Sequence, residues 1–505
     1  MSAISEKNRK RIKSLLPLVL ILIVASYFRL SYMNLIEFKS EEARDTIVIR
    51  NLVEGKEYPL LGAPFSAGGR SGPAFYYLLS IPYFFVQDPR AISFFVGLLN
   101  VCGVFLLYEI GKNFFSKNVG LISSALLAVS PFAVIYSRKI WNIDALLPFA
   151  LLFFFLLLSY LEKKKTRYLL LAAIPLAIAM QIHVTSIVLI FIMIFSFFVY
   201  KQKIRIKEIL LFLIIFLALF SPFFYYEANH DYENIRTFIN YKSKIENEQL
   251  NSIVWHHFMG TTTGIYFDFF LGSSAQSFYS QLPEFTNKAF AVEFVLILVG
   301  LIYISKKIMQ KSEMKREYSI ILFWMAITLL LLAFYSGGVY PHHVVIILPA
   351  VYLTAAVLLD SIISVKEKIA KIFALAILFS IIVMQIFFLQ TFFSFINANG
   401  GASGDYDVSY NYKFQAVDFV VKDSNNNNFV ATNYPSRNEL NLEYTYLLSQ
   451  SGKTPVQGKF TRYIILNTFT TKLSGEENNY LSQFPMFQFG PVTVYKESQI
   501  SSSII

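Results

Sequence analysis

The chain has 505 residues, of which 55% are hydrophobic and only 15% are charged, and its formal net charge is +11. Soluble domains carry about 25% charged residues, so this composition and the repeated apolar runs near 20 residues exclude an ordinary soluble protein and indicate a polytopic membrane protein. The Lys and Arg residues cluster at the ends of apolar runs, so membrane topology explains the positive charge and we expect no nucleic-acid partner. The single cysteine, Cys102, excludes an intrachain disulfide framework.

Eleven membrane-spanning helices are predicted along the chain, with a basic cytoplasmic N-terminus at residues 1–14. The stretch Tyr168–Tyr200 is too long for one span, and basic residues at both ends predict two short spans that turn around Gln181–Ser186. The predicted spans lie at about Leu15–Leu35, Ala91–Ile110, Val119–Tyr136, Ala145–Leu161, Tyr168–Tyr200 (two spans), Ile209–Tyr225, Ala289–Ile304, Ser319–Tyr335, Val344–Leu359 and Ile372–Phe395.

An odd number of spans places two long loops, 36–90 and 226–287, and the polar tail, 396–505, on the extracytoplasmic side. In the first loop, Glu41–Glu54 has the pattern of an interfacial helix, and Ala74–Val86 predicts a re-entrant or surface helix. Short alternating patterns in the tail predict a small α/β domain. The fold class is therefore an all-α polytopic membrane protein, with its transmembrane domain at residues 15–395 and an extracytoplasmic C-terminal α/β domain.

The segment after the first span is rich in carboxylates within an otherwise apolar chain. In a helix, Glu41 and Asp45 share one side, whereas Glu42 points about 100° away. Carboxylates beside apolar surface have raised pKa values and can act as general bases near neutral pH. An interfacial helix with solvated charges explains the same residues, so the sequence pattern leaves both interpretations open.

Three segments in this order resemble a known family: SEEARDTIVIRNL (Ser40–Leu52), PLLGAPFSAGGRSGPAFYYLLSIP (Pro59–Pro82) and AVSPFAVIYSRKIWNIDALLP (Ala128–Pro148). The chain resembles the GT-C class of polyprenol-phosphate-sugar-dependent glycosyltransferases. More narrowly it resembles the branch (glycosyltransferase family 39-like) of the protein O-mannosyltransferases and the lipid A aminoarabinose transferase. The family carries an acidic pair, typically Asp-Glu, where this chain has Glu41-Glu42, so the resemblance implies Glu41, Glu42 and Asp45 as catalytic residues.

The resemblance also implies a site for the donor phosphate. The family's Lys-Pro-Pro-Leu-Tyr-Tyr or Gly-Pro-Leu-Tyr-Tyr segment corresponds to residues 71–77, where Ser71 stands at the Lys position. The phosphate cation is therefore expected from Arg70, Arg138 or Lys139, since guanidinium groups bind phosphodiesters through paired hydrogen bonds. Anchoring of a span at lipid headgroups explains Arg138 and Lys139 equally well. The residues expected to line the substrate cavity are Tyr76, Tyr77, Trp141, Asn142, His183, Tyr340, His342 and His343. A buried histidine with satisfied hydrogen bonds also explains His183, and an interfacial belt explains Tyr340 and the two following histidines equally well.

The implied reaction is an inverting displacement in which a carboxylate deprotonates an acceptor hydroxyl and the polyprenyl phosphate leaves. The expected partners are a polyprenyl-phosphate sugar donor, the lipid bilayer and a glycan, lipid or protein acceptor. No cofactor is expected, and no metal, because the tail lacks the Trp-Trp-Asp motif of the metal-dependent oligosaccharyltransferases. The pair His256-His257 lacks partners at ligand spacing, and the Asp405-Tyr406-Asp407 sequence is treated as chance.

The expected location is the bacterial plasma membrane, as an integral protein with its active site outside. A flippase for a lipid-linked sugar is the main alternative, although carriers tend to hold ionisable groups near the bilayer midplane and to show inverted repeats. A scaffold that presents the tail domain is a second alternative.

Overall fold

The chain folds into a bundle of apolar helices followed by a small α/β part, and a computed structural model describes residues 6–65, 68–240, 250–264, 266–284, 286–335, 338–435, 439–458 and 460–498. The helices up to residue 399 are α1 (Glu6–Leu30), α2 (Ser40–Val53), α3 (Ala74–Phe85), α4 (Pro89–Phe114), α5 (Lys117–Val129), α6 (Pro131–Tyr136), α7 (Leu146–Lys163), α8 (Thr166–Ile182), α9 (Ile187–Tyr200), α10 (Ile206–Asn229), α11 (Glu233–Asn240), α12 (Leu250–Thr263), α13 (Asp268–Leu271), α14 (Ala275–Tyr279), α15 (Thr286–Met309), α16 (Lys315–Ala333), α17 (Pro341–Val344), α18 (Leu348–Ile363) and α19 (Lys368–Asn399). Short 3-10 helices lie at Met33–Leu35, Asn142–Ala145, Val184–Ser186, Gly272–Ser274 and Val345–Ile347.

Each predicted span overlaps helical structure, although Val119–Tyr136 is divided between α5 and α6 at Ser130 and the first helix ends at Leu30. The number of membrane crossings stays a prediction. Within the described residues, six helical segments are long and apolar enough to cross a bilayer: Pro89–Phe114, Asn142–Lys163, Ile206–Asn229, Lys315–Ala333, Pro341–Ile363 and Lys368–Asn399. The apolar stretch that the sequence divides around Gln181–Ser186 is indeed broken there, because α8 ends at Ile182 and α9 begins at Ile187. The predicted outer loop 226–287 contains α11 to α14 in its described part.

The helix bundle is centred on α7 and α18, which are largely buried, whereas α10 lies at the periphery with its apolar side chains exposed. Helices α4 and α5 approach most closely at Gly111 and Gly120, where a Cβ on Gly111 would lie 2.5 Å from Cα of Gly120. Small residues permit such close backbone approach between membrane helices. The buried Arg29 of α1 donates to the carbonyls of Leu127 (2.9 Å) and Ala128 (2.7 Å), which satisfies the C-terminal end of α5.

The C-terminal part contains a two-stranded hairpin and a four-stranded sheet. Its strands are β1 (Gly401–Ala402), β2 (Asp407–Val408), β3 (Phe429–Asn433), β4 (Thr461–Asn467), β5 (Met486–Phe489) and β6 (Val492–Glu497), and its helices are α20 (Tyr410–Asp423), α21 (Leu442–Gln450) and α22 (Gly475–Leu481). The order of the larger sheet is β3-β4-β6-β5, with β3 parallel to β4 and the other neighbours antiparallel. This agrees with the small α/β unit that the sequence predicts.

The C-terminal part packs directly on α2 of the first loop. Arg50 donates to Oγ of Ser449 at 2.8 Å, and Ser40 donates to Glu443 at 2.7 Å, so α21 covers one side of α2. The buried ammonium of Lys413 donates to the carbonyl of Phe38 at 2.9 Å. These contacts hold the acidic segment between the helix bundle and the tail.

Candidate active site

A cavity of about 320 Å³, with polar as well as apolar side chains in its wall, opens where the first loop, the helix bundle and the C-terminal hairpin meet, and is called the polar cavity. Its walls come from the break between α8 and α9, the turn before α17, the start of α13 and the β1–β2 loop. The lining residues are Pro64, Phe65, Trp141, Asn142, His183, Val184, Phe269, Tyr335, Tyr340, His342, His343 and Asp405. Six of the eight residues expected to line the substrate cavity, Trp141, Asn142, His183, Tyr340, His342 and His343, therefore lie together.

The remaining two, Tyr76 and Tyr77, are not among the cavity lining. Tyr76 is fully buried and its hydroxyl donates to Oδ1 of Asp45 at 2.9 Å. Tyr77 is 39% exposed on the outer side of α3. Tyr76 thus supports α2 from α3, whereas Tyr77 points elsewhere because adjacent residues of a helix point in different directions.

A cluster of four charged side chains lies behind the cavity wall. The Nζ atom of Lys139 is 2.7 Å from Oε2 of Glu37 and 2.9 Å from Oδ2 of Asp405. The Nζ atom of Lys39 lies 3.0 Å from the other carboxylate oxygen of Asp405 and 3.4 Å from Glu37. Glu37 and Lys139 are almost fully buried, and Asp405 is the acidic member that reaches the cavity surface.

Burial and ion pairing act differently on the two carboxyl groups of this cluster. Burial raises the pKa of Glu37 to about 8, and the nearby Lys139 and Lys39 offset it only in part. For Asp405, burial opposes ionisation, but Lys139 and Lys39 lower the pKa to about 2. Asp405 therefore stays ionised near neutral pH, whereas the ionised form of Glu37 depends on the two ammonium groups beside it.

An apolar groove of about 180 Å³ adjoins the polar cavity between α9 and α16. Both spaces share Val184, Tyr335 and His343 in their walls. The remaining residues of the groove are Thr185, Ile187, Val188, Thr328, Leu331 and Leu332. The polar cavity and the apolar groove thus adjoin at these three shared residues.

None of the three acids expected to be catalytic lines either space. Oε2 of Glu42 accepts a 2.9 Å hydrogen bond from the backbone N–H of Lys39, so this buried carboxylate satisfies the N-terminus of α2. Asp45 is fully buried and accepts from Arg44 and Tyr76, both at 2.9 Å. Glu41 is exposed in the first turn of α2, which leaves it the one member of the three that is open to solvent.

Burial raises the pKa of Asp45 to about 6, against the opposing effect of the Arg44 guanidinium. One carboxylate oxygen, Oδ2, is buried without a hydrogen-bond partner in the described part of the chain. The expectation that apolar surroundings shift a carboxyl of this segment toward neutrality thus applies to Asp45, whose partners also fix its position.

The three cations expected near the donor phosphate occupy three different environments. The guanidinium of Arg138 donates to the carbonyls of Phe28, Ser31 and Tyr32 at 2.9, 2.5 and 2.8 Å, so it closes the C-terminal end of α1. Lys139 belongs to the buried charged cluster. Arg70 is exposed, and its Nε donates to the carbonyl of Gly62 at 2.9 Å.

Sequence reasoning missed Glu37, Lys39 and Asp405 as members of the site. Glu37 and Lys39 belong to the charged segment that the sequence singles out, but their environment depends on a residue more than 360 positions away. Asp405 belongs to the Asp-Tyr-Asp sequence that we treated as chance. Its backbone N–H donates to the carbonyl of Phe269 at 2.8 Å, which anchors the hairpin loop in the cavity wall. Its place there is a tertiary contact that local sequence does not encode.

Comparison with known proteins agrees with this architecture. Residues 71–226 match the family model described as dolichyl-phosphate-mannose-protein mannosyltransferase. This range contains Arg138, Lys139, Trp141, Asn142 and His183. No curated protein matches the chain in sequence.

Solved structures similar to this chain include ArnT from Cupriavidus metallidurans. Its apo structure has a TM-score of 0.59 at 9% identity, and the match covers 95% of this chain and 97% of that one. The ArnT structure bound to undecaprenyl phosphate has a TM-score of 0.58 at 10% identity, with the same coverage. The archaeal oligosaccharyltransferase AglB from Archaeoglobus fulgidus has a TM-score of 0.48 at 11% identity, covering 91% of this chain and 70% of that one.

The resemblance inferred from Ser40–Leu52, Pro59–Pro82 and Ala128–Pro148 is thus confirmed by a family model over part of the chain and by fold over nearly all of it. At this level of identity the structural match establishes the fold alone. The chain shares the fold of ArnT over 95% of its length, and residues 71–226 match the family model described as dolichyl-phosphate-mannose-protein mannosyltransferase.

Proposed function

We propose that this protein is an integral-membrane glycosyltransferase that moves a sugar from a polyprenyl-phosphate donor to an acceptor hydroxyl. The observation that carries the proposal is the junction between the 320 Å³ polar cavity and the 180 Å³ apolar groove. A lipid-linked sugar has the same division, since a polar headgroup continues into a hydrocarbon chain. Pockets of a few hundred Å³ with few polar groups are typical of small-molecule sites.

The sugar of the donor would occupy the polar cavity. Trp141 and Tyr340 supply aromatic faces there, and Asn142 and Asp405 supply polar atoms in the wall. The first isoprene units would lie in the groove between α9 and α16, against Val188 and Leu332. Residues 396–505 would form an extracytoplasmic domain that completes the cavity from above, with the N-terminus in the cytoplasm of a bacterial cell.

The positive charge for the leaving phosphate would come from Lys139 and, at the rim, from Arg70. Lys139 lies behind Asp405, and it stays protonated because Glu37 and Asp405 raise its pKa against the effect of burial. The exposed Arg70 has both Nη groups without a hydrogen-bond partner in the described ranges, which leaves them available for a phosphate oxygen. Arg138 is less suited to this role, since three carbonyls occupy its guanidinium.

Glu41 is the acid that we assign as the general base. Glu42 is committed to the N–H of Lys39 and Asp45 to Arg44 and Tyr76, whereas Glu41 is open to an incoming acceptor. Glu41 follows Lys39 by two residues, so the two Cα atoms lie within about 7 Å of each other. Lys39 is in turn paired with Asp405 in the cavity wall. Glu41 also stands at the position of the family's first acid.

The reaction would proceed by one displacement. The acceptor oxygen forms a bond to the anomeric carbon while the bond from that carbon to the phosphate oxygen breaks, and its electron pair stays on the polyprenyl phosphate. Glu41 takes the hydroxyl proton. A single displacement inverts the anomeric centre, so a β-linked donor gives an α-linked product.

The test uses purified full-length protein in lipid vesicles with a panel of polyprenyl-phosphate sugars and simple acceptors. The proposal expects release of polyprenyl phosphate together with a new glycoside. A flippase would move the donor between leaflets and release no polyprenyl phosphate. Absence of release with every donor and acceptor class, by protein that binds these donors, would refute the transferase assignment.

A further inference from the structure

Three buried histidines come together where the polar cavity meets the apolar groove. His183 lies between α8 and α9, and His342 and His343 begin α17. One side-chain nitrogen of each can be chosen so that all three lie within 4.8 Å of one another. This spacing invites assignment as a metal site, because histidine is a common ligand of Zn²⁺.

The hydrogen bonds of the His183 and His343 rings indicate a ligand other than a metal ion. Nδ1 of His343 accepts the backbone N–H of Tyr340 at 3.0 Å. Nδ1 of His183 accepts the backbone N–H of Thr185 at 3.3 Å, and the hydroxyl of the same threonine, 2.9 Å from this nitrogen, is placed to donate to it as well. A neutral imidazole has one donor and one acceptor nitrogen. When Nδ1 accepts, the proton lies on Nε2, so Nε2 of both rings is a donor and lacks the lone pair that a metal requires.

These two Nε2 groups have no hydrogen-bond acceptor within the part of the chain that the structure describes. Both histidines are more than nine-tenths buried, so a partner must come from whatever fills the cavity. Donors that line a cavity without a protein acceptor favour a ligand rich in acceptor oxygens.

The position of the two rings indicates which part of the lipid donor they would contact. His343 and Val184, the neighbour of His183, line both the polar cavity and the apolar groove. In a polyprenyl-phosphate sugar the phosphate is the group that joins the polar and hydrocarbon parts. With the sugar in the polar cavity and the isoprene units in the apolar groove, the phosphate lies beside the two Nε2–H groups.

We propose that the Nε2–H groups of His183 and His343 donate hydrogen bonds to non-bridging phosphate oxygens of the lipid donor. This inference rests on the proposed function and adds a phosphate contact made by neutral side chains. His342 packs beside His343, with ring centroids 4.1 Å apart, stacks on Tyr340 at 5.6 Å and meets Trp141 edge-on at 4.5 Å. Its Nδ1 is buried without a hydrogen-bond partner in the described part of the chain.

Neutral donors suit a phosphate whose charge changes during the reaction. The donor is a phosphodiester with one negative charge, and cleavage leaves a monoester that carries more. Hydrogen bonds that strengthen as charge develops on the leaving oxygen stabilise the transition state more than the bound donor. His183 and His343 are therefore catalytic residues in this proposal, since they contact the leaving group.

The experiment measures binding of farnesyl phosphate and of farnesol to the full-length protein in detergent, by calorimetry. The variants are His183→Gln and His343→Gln, which keep an amide N–H near the Nε2 position, and His183→Leu and His343→Leu, which remove it. Each Leu variant is expected to bind farnesyl phosphate about tenfold more weakly, the effect of one hydrogen bond to a charged group. The Gln variants stay within about threefold of the parent protein, and farnesol binding changes little in all four.

His230→Leu is the matched control, because this exposed histidine stacks on Tyr226 away from the cavity. If a Leu variant fails to fold, the corresponding Asn variant replaces it, since Asn places its amide near the Nδ1 position and is expected to show the same tenfold loss. Unchanged farnesyl phosphate binding in the variants without the donor would overturn the proposal. So would loss of parent binding in EDTA that Zn²⁺ restores, because the rings would then be metal ligands.

The outcomes separate this inference from the transferase assignment. Histidine-dependent phosphate binding without sugar transfer by the parent protein would support the contact and refute the reaction. Sugar transfer by the parent with unchanged farnesyl phosphate affinity in the Leu variants would support the reaction and refute the contact.

Discussion

Lys139 and Asp405 are 266 residues apart in the chain, yet Nζ of the lysine lies 2.9 Å from Oδ2 of the aspartate. The lysine comes from a loop of the helix bundle and the aspartate from the hairpin that begins the C-terminal part. Their contact, with that between Lys39 and Asp405 at 3.0 Å, joins three segments of the chain at one cavity wall. The candidate site is thus assembled only when the tail docks on the bundle.

The assignment of Glu41 as base predicts a large loss of sugar transfer in Glu41→Gln. General bases contribute typically 10²–10⁴-fold, so we expect at least about a hundredfold lower initial rate with unchanged donor binding. Glu57→Gln, at an exposed position of the same loop, is the control and should keep the parent rate. A Glu41→Gln variant that transfers sugar at the parent rate would exclude this residue as the base.

The pairing of Glu37 and Lys139 predicts strong coupling in a double-mutant cycle. Lys139→Met removes the cation that pairs with both Glu37 and Asp405. Removal of one partner of a buried ion pair lowers the free energy of unfolding by about 3–5 kcal/mol. Adding Glu37→Gln removes one of those carboxyls, so the double variant should be less destabilised than the sum by at least about 1 kcal/mol. Thermal unfolding in detergent measures the stability of the parent protein, the two single variants and the double variant. Strict additivity would contradict the contact.

Replacement of Arg138 is predicted to lower the stability of the protein rather than its affinity for the donor. Arg138→Met removes a buried guanidinium from three carbonyls at the end of α1, with an expected cost on the order of 3 kcal/mol, and Arg138→Lys should recover part of this. Arg167→Met at the exposed surface should change stability by less than about 0.5 kcal/mol. A Lys variant with parent stability and much weaker farnesyl phosphate binding would instead favour the phosphate role that the sequence predicts.

The raised pKa of Asp45 predicts a pH dependence of stability. Its folded-state pKa of about 6 exceeds the ordinary 3.8, so the folded protein binds the proton more tightly. The contribution of this group is therefore fully present below pH 4 and is lost as the pH rises to about 6, with a span of at most about 3 kcal/mol.

Asp45→Asn should remove this part of the pH dependence, as followed by thermal unfolding between pH 4 and pH 8. Asp418→Asn, on the exposed side of α20 beside Lys422, is the control and should leave the profile unchanged. A parent profile identical to that of Asp45→Asn would show that the carboxyl is not shifted.

The elements of this fold are largely readable from the sequence, because hydrocarbon runs and flanking cations follow from the bilayer. Helices α2 and α3 and the break at His183 lie where periodicity, Gly and charge predict them. The site is readable only in part. His183 follows from the predicted turn between two short spans, and Trp141 and Asn142 lie in a segment that carries the resemblance. The roles of Glu42, Arg138 and Asp405 depend on contacts across the molecule. Glu42 bonds the N–H of Lys39, Arg138 closes the end of α1, and Asp405 lies in a docked hairpin. None of these three contacts produces a recognisable pattern in the local sequence.

The short hairpin β1–β2 carries Asp405 into the cavity and interlocks with the bundle, since Ser403 bonds with Ser273 and Ser274 at 2.8 and 3.0 Å. In hybrids built from two relatives, a crossover at the end of α19 would replace one wall of the reaction chamber along with the tail. A crossover after Val408 would retain Asp405 in the cavity wall and exchange the part of the tail that packs on α2 through Glu443 and Ser449.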